Sequence, residues 1–213
     1  SEVRSWQRLT PPPLVFVPLR GRDRFALAPA GDEGGFDDAE LALAKDALAS
    51  RDGETHAIHP RLVELVYRAV RQFRAPYVHV ISGYRTGRAT SRHAQGRALD
   101  FVLPGVSDRR LAAYLRREGF VGVGIYPVSG FVHLDVRERS YFWSDSSGPG
   151  QPTRERAILA AQTSRYDAAA RRRGIEPTED IAIVAAEGEE GDEAAADETV
   201  APPIPISEET PPG

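Results

Sequence analysis

Apolar residues recur along this chain with two different periods. Leu14-Val15-Phe16-Val17-Pro18-Leu19 and Arg24-Phe25-Ala26-Leu27-Ala28 are short strand-like runs around a polar turn at 20–23. They predict a hairpin. Pro18 has no N–H to give to a ladder, which predicts that its strand lies at a sheet edge. The period then becomes helical. Asp37 or Asp38 can cap a run ending near Leu48. A second run opening at Pro60 puts Leu62, Val63, Leu65, Val66, Ala69, Val70 and Phe73 at helical spacing. Strand patterns return at 77–81 and 97–102. A third helix is expected from Ser107 or Asp108 to Gly119, then strands at 121–125 and 130–136. Helices interleaved with strands in this way predict an α+β domain, its sheet mainly antiparallel and flanked by helices.

From 153 to 173 the chain reads as a peripheral helix rich in Ala and Arg, and from about 187 Ala, Glu, Gly and Pro dominate. The latter composition buries too little apolar surface to offset ordering entropy, so a disordered acidic tail is expected. The resulting division is an N-terminal extension at 1–13, a folded domain at 14–145, a helical extension at 146–186 and the tail at 187–213. Charge follows it. The formal net charge is -4, but 187–213 holds seven Glu, two Asp and no Lys or Arg; that stretch carries -9, which leaves +5 for the remainder. The tail is a candidate docking segment for an unknown partner.

Cysteine is absent, which excludes disulfides, thiol catalysis and thiolate metal ligands. Any zinc must be held by His and carboxylate. No apolar run reaches the roughly 18 residues of a membrane span, so no transmembrane segment is expected. Arg171-Arg172-Arg173 has no interleaved aromatic residue and reads as a solvated helix end, not a nucleic-acid surface. No Met is present, even at position 1, which points to a processed or trimmed chain, secretion being one explanation.

The chemistry concentrates in Ser91-Arg92-His93-Ala94-Gln95-Gly96-Arg97-Ala98-Leu99-Asp100 and in Phe131-Val132-His133-Leu134-Asp135. His93, Asp100 and His133 are candidates for three ligands of one zinc. Three is the number a catalytic zinc uses when a fourth position stays open for water, whose pKa it lowers towards about 7. His93 and Asp100 flank Gly96 and enter a strand. His133 and Asp135 differ by two and so face one side of a strand, a face that Arg137 continues. His56 and His59, at a helix start, read as solvent-facing, and His79 as packed within a strand.

Ser82-Gly83-Tyr84-Arg85, the His93/Asp100 motif, Gly122-Val123-Gly124-Ile125-Tyr126-Pro127 and the His133 motif, closed by Trp143, together resemble the LAS-type zinc peptidase superfamily. That superfamily includes D-Ala-D-Ala carboxypeptidases, phage L-alanyl-D-glutamate endopeptidases and the hedgehog amino-terminal domain. The pattern is closer to its murein endopeptidase K branch and runs from about 14 to 143. The resemblance implies a zinc metallopeptidase acting on peptidoglycan stem peptides or cross-links, of D,D-endopeptidase or carboxypeptidase type, in the periplasm or outside the cell. It implies His93, Asp100 and His133 as zinc ligands, and Arg85, Tyr84, Ser91, Gln95 and Tyr126 as substrate contacts. A guanidinium at Arg85 matches a substrate carboxylate bidentately; a structural ion pair is its other reading. Many relatives carry a Glu or His shortly before the last ligand, where this chain has Phe131. Two roles therefore stay open for Asp135: general base, or a carboxylate that orients a ligand histidine. The loop between Arg85 and Ser91 is shorter than in that branch, so substrate preference is not expected to carry over. The alternative function is a non-catalytic, zinc-containing wall-binding or interaction module of the same fold.

Overall fold

The computed structural model describes residues 11–19 and 23–180. The turn at 20–22, nearly all of the predicted N-terminal extension and the acidic tail lie outside the described residues. Among the described residues, eight strands form one sheet: β1 (Leu14–Pro18), β2 (Phe25–Leu27), β3 (Val78–Ser82), β4 (Ala98–Val102), β5 (Val121–Tyr126), β6 (Phe131–Val136), β7 (Tyr141–Asp145) and β8 (Glu155–Ala157). Their spatial order is β2-β1-β3-β4-β6-β5-β7-β8. In the same described residues four helices accompany them: α1 (Asp38–Ala47), α2 (Pro60–Phe73), α3 (Asp108–Leu115) and α4 (Ala160–Arg172).

The helix ends follow their capping chemistry. The Asp37 carboxylate accepts the Glu40 N–H at 2.9 Å to open α1. Pro60 stands at the first position of α2, where its missing N–H costs nothing, and His59 Nδ1 accepts from the Arg61 N–H. His59 is therefore a half-buried cap, while His56 is exposed. The helix α3 passes into a 3-10 turn at Arg116–Glu118, and Gly119 at φ 71° ends it.

The α+β class holds, but the sheet is mixed rather than mainly antiparallel. β1 runs parallel to β3, with α1 and α2 in the connection between them. β5 runs parallel to β7. The second pairing arises because β7 follows β6 directly and lies on the far side of β5; a strand reversed relative to β6 must run with β5. The strand β1 is also not at the edge, since it pairs β2 on one side and β3 on the other. Pro18 is tolerated there because it is the last residue of the strand, and the next N–H, of Leu19, donates to Val80. Both β7 and the three-residue β8 add to the strands expected from the sequence.

Alternation along the central strands decides where the site can be. Leu99 and Phe101 of β4, Val121 and Val123 of β5, Val132, Leu134 and Val136 of β6 and Phe142 of β7 join one core with α2 residues Leu62, Val63, Leu65, Val66 and Ala69 and with Leu111, Ala112 and Leu115 of α3. Each buried Val, Leu or Phe side chain among them contributes about 1.5–3 kcal/mol. The intervening residues Asp100, Gly122, Gly124, His133, Asp135 and Trp143 point to the opposite face. One side of the sheet is core, and the other carries the polar residues.

Candidate metal centre

Register brings the two motifs together. β4 and β6 are antiparallel neighbours with Asp100 opposite His133 and Ala98 opposite Asp135. His93 arrives from the turn before β4, where Gly96 at φ 64° takes a conformation that other residues adopt only with strain. His93, Asp100 and His133 are all buried, and their donor atoms lie within 4.8 Å of one another. His93 Nε2 stands 3.3 Å from His133 Nδ1 and 3.4 Å from Asp100 Oδ2; His133 Nδ1 stands 2.8 Å from Asp100 Oδ1. Two ligands each about 2.0–2.1 Å from a tetrahedral zinc stand about 3.3 Å apart, so the spacing fits that ion.

The remaining ring nitrogens are tied from behind. A carbonyl oxygen can only accept, so His93 Nδ1–H donates to the Gly83 oxygen at 2.7 Å, and the neutral ring turns a bare Nε2 to the centre. His133 Nε2 lies 3.0 Å from Asp135 Oδ2, which leaves Nδ1 facing inward. Donor pairing of this kind fixes the tautomer and orientation of a metal-ligating histidine.

The electrostatics of the cluster favour positive charge. Burial would raise the Asp100 carboxyl, but His93, Arg85 and the hydrogen bond from His133 hold it well below the usual range. Burial lowers His93. It would lower His133 too, but the bonds to Asp100 and Asp135 outweigh it, and that pKa is raised. In this structure the Arg85 guanidinium provides the charge: Nη2 donates to Asp100 Oδ2 and lies 3.2 Å from His93 Nε2, and Nε donates to Ser82 Oγ at 2.8 Å. The ion pair that the sequence allowed for Arg85 is present, although 40% of its side-chain surface stays exposed.

Asp135 is fully buried, on the far side of His133 from the cluster. Arg137 Nε donates to Asp135 Oδ1 at 2.6 Å and Nη2 donates to Oδ2. Arg92 Nε adds a contact at 3.3 Å. Burial would raise this carboxyl, but Arg137 and then His133 outweigh it and hold it far below its ordinary value. On β5, Gly122 faces Asp135 and Gly124 faces His133. A Cβ at 122 would collide with the Asp135 carboxylate and the Arg137 guanidinium, and one at 124 with the Trp143 indole. The bare backbone there makes room for the support.

Of the other expected substrate contacts, Tyr84 is half-buried and stacks on His56 with ring centroids 5.2 Å apart. Ser91 and Gln95 belong to the turn that delivers His93, and the Gln95 amide nitrogen donates to the Ala89 oxygen. Tyr126 stacks on Phe131, and its hydroxyl accepts from Trp143 Nε1 at 3.2 Å. Burial, then the nearby Asp100 charge, raise the Tyr126 pKa far above its ordinary value, so the phenol keeps its proton. Trp143 in turn lies against His133, centroids 5.0 Å apart. The supporting roles of Arg92, Arg137, Gly122 and Trp143 were not assigned from sequence. The period-two continuation of the His133 strand reached Arg137, and Gly-x-Gly opposite that strand was the remaining signal.

Residues 31–141 match the family described as peptidoglycan L,D-endopeptidase MepK. The protein of that name from Escherichia coli (strain K12) is 39% identical over 103 residues, covering 40% of this chain and 55% of the relative. The Shigella flexneri protein of the same name matches to the same extent. The chain thus spans about half the length of these relatives, and no solved structure matches it. The matched span contains every residue of the His93, Asp100 and His133 cluster and of its support from Arg85 to Arg137, and the chain belongs to the peptidoglycan L,D-endopeptidase MepK family.

Proposed function

We propose that this protein is a zinc-dependent peptidase that hydrolyses amide bonds in peptidoglycan stem peptides or cross-links. The carrying observation is the cluster itself: two imidazole nitrogens and a carboxylate converge at zinc spacing, with the far nitrogen of each ring held by an acceptor. His93, Asp100 and His133 would hold the ion. Bound there, zinc supplies a Lewis acid that polarises a carbonyl and acidifies water towards a pKa of about 7. The names of the relatives favour an L,D bond over the D,D-endopeptidase or carboxypeptidase types expected from sequence. A wall substrate implies work in the periplasm or outside the cell, and the mildly cationic remainder of the chain suits an anionic wall. The acidic tail is left as a segment for a further partner.

In this reading Asp135 orients His133 and does not take the reacting proton. Its position behind the ring and its two bonds from Arg137 support that role. So does its depressed pKa, since a strongly acidic carboxyl is a poor base near neutrality. Tyr126 keeps its proton and, accepting from Trp143, has its own O–H free to donate to a substrate oxygen. Arg85, partly exposed at the mouth, meets a substrate carboxylate. Tyr84, beside it, and the turn of Ser91 and Gln95 line the approach.

Digestion of purified sacculi with zinc-loaded protein, with and without a chelator, tests the reading through the muropeptides released. Chelator-sensitive release of peptides cut at one bond type is expected. Intact sacculi from several sources, with zinc bound, would leave the non-catalytic module instead.

A further inference from the structure

The chain beyond α4 returns to the site. Thr178 is buried, and the Glu179 carbonyl oxygen accepts from Arg97 Nη2. Asp180 Oδ1 accepts from Arg92 Nη2 at 3.0 Å and lies 3.9 Å from Arg97 Nη1. Arg92 directly precedes the ligand His93. Its other end reaches Asp135, the carboxylate that holds His133. One guanidinium thus spans two carboxylates, one in the metal support and one on a strap 88 positions further along the chain. The strap lies outside the span shared with the family, which ends at 141.

The charges explain why a strap is needed. Arg92, Arg97 and Arg137 crowd the rear of the site, and Asp135 alone would face all three. Arg97 feels Asp180 as its leading favourable charge, against the repulsion of Arg92, and Asp180 also stabilises the charge on Arg137. Without Asp180, Arg92 loses its anchor on the strap while the repulsion from Arg97 remains, so it is expected to swing to solvent. Asp135 then loses the contact that completes its cage.

We propose that Asp180 is a positioning residue for the metal centre, holding Arg92 against Asp135 and thereby setting the His133 ring. This rests on His93, Asp100 and His133 being metal ligands. Asp180 itself is 46% exposed on its side chain, so its replacement should leave the melting temperature nearly unchanged, which separates positioning from a purely structural role.

The test uses the full chain with Asp180→Asn, Asp180→Glu, Arg92→Ala and the double variant Asp180→Asn/Arg92→Ala. Zinc affinity is read by competition with a chromophoric chelator. Asp180→Asn is expected to bind zinc about three- to tenfold more weakly, below the roughly 10–100-fold typical of a ligand's direct support. Asp180→Glu should restore most of it. The double variant should be no worse than Arg92→Ala, because both remove one chain of contacts. Unchanged affinity in Asp180→Asn, or additive losses in the double variant, overturns the proposal. A wild-type chain that binds no zinc defeats the functional reading instead. The strap is then judged in metal-free protein by proton NMR of the His133 Nε2–H: a resonance shifted or broadened by Asp180→Asn supports it, and one left unmoved overturns it.

Discussion

His133 meets a carboxylate on each side, and the two are built differently. Asp100 faces Nδ1 from the cluster at 2.8 Å, and Asp135 faces Nε2 from behind at 3.0 Å. Both are buried, and in both the penalty of burial is overcome by cations. Asp100 is answered by His93 and by Arg85, whose side chain is 40% exposed. Asp135 is answered by Arg137, whose side chain is only 13% exposed, through two hydrogen bonds. The front charge can be exchanged for another cation at little cost, whereas the rear one cannot leave without stranding a buried carboxylate. Such an arrangement would suit a metal centre: an anionic pocket whose cation is replaceable, and a support whose cation is fixed.

Removing the front carboxylate should have the largest effect on function and a smaller one on folding. Asp100→Ala is expected to lower zinc affinity by more than about 100-fold, beyond what loss of a supporting residue does, and to abolish sacculus digestion. Isothermal titration with zinc reads the first effect. Arg85 would turn to water but the buried His133 Nδ1 would lose its partner, so urea unfolding should lose about 1–3 kcal/mol. The rear reverses the balance. Arg137→Ala breaks a buried pair and should cost about 3–5 kcal/mol in urea unfolding, with zinc weakened about 10–100-fold. Similar unfolding losses for the two variants would erase the distinction.

Acid should act on the two sides in sequence with the histidines. Both carboxyls titrate below their ordinary 3.8 when folded. Their stabilisation is therefore complete above about that value and is lost as pH falls through the depressed ones. His93 is lowered from 6.5 by burial, so it too destabilises the fold as pH falls below 6.5. His133 is raised, and its contribution is full below 6.5 and lost as pH rises through its folded value. The metal-free protein should hold its stability near neutrality and lose it below about pH 4. Asp135→Asn should show a shallower acid limb in urea titrations at stepped pH.

The grouping of His93, Asp100 and His133 was legible because it rests on local signals: a turn glycine between His93 and Asp100 and the period-two alternation of a strand. The first three helices were legible for the same reason, as with the apolar stripe of α2, whereas the helix expected from 153 begins only at Ala160, after β8. What lay between distant segments was not. Gly122 and Gly124 stand out in the sequence, but their purpose appears only once β5 is registered against β6. The edge position expected for β1 failed because a proline at the last residue of a strand blocks no bond that the ladder uses. The parallel pairing of β7 depends on which side of β5 the chain passes, and no local pattern records that. The contact of Asp180 with Arg92 crosses 88 positions between residues with no shared periodicity.

The smallest effect should come from the front cation. Arg85→Ala removes an ion pair whose arginine is partly in solvent, and such pairs contribute about 0–1 kcal/mol, so unfolding should barely change. Zinc affinity should hold or rise slightly, because the guanidinium lies against Asp100 Oδ2 and His93 Nε2 and competes for the same charge. If Arg85 also meets a substrate carboxylate, activity on soluble muropeptides should fall about tenfold through KM, the scale of one charged hydrogen bond of roughly 1.5 kcal/mol. Arg85→Lys should recover part of it, since lysine keeps the charge but not the bidentate fork. A loss of zinc or of stability in Arg85→Ala as large as in Arg137→Ala would mean that the front arginine is a fixed part of the support, and that the pocket does not exchange its cation.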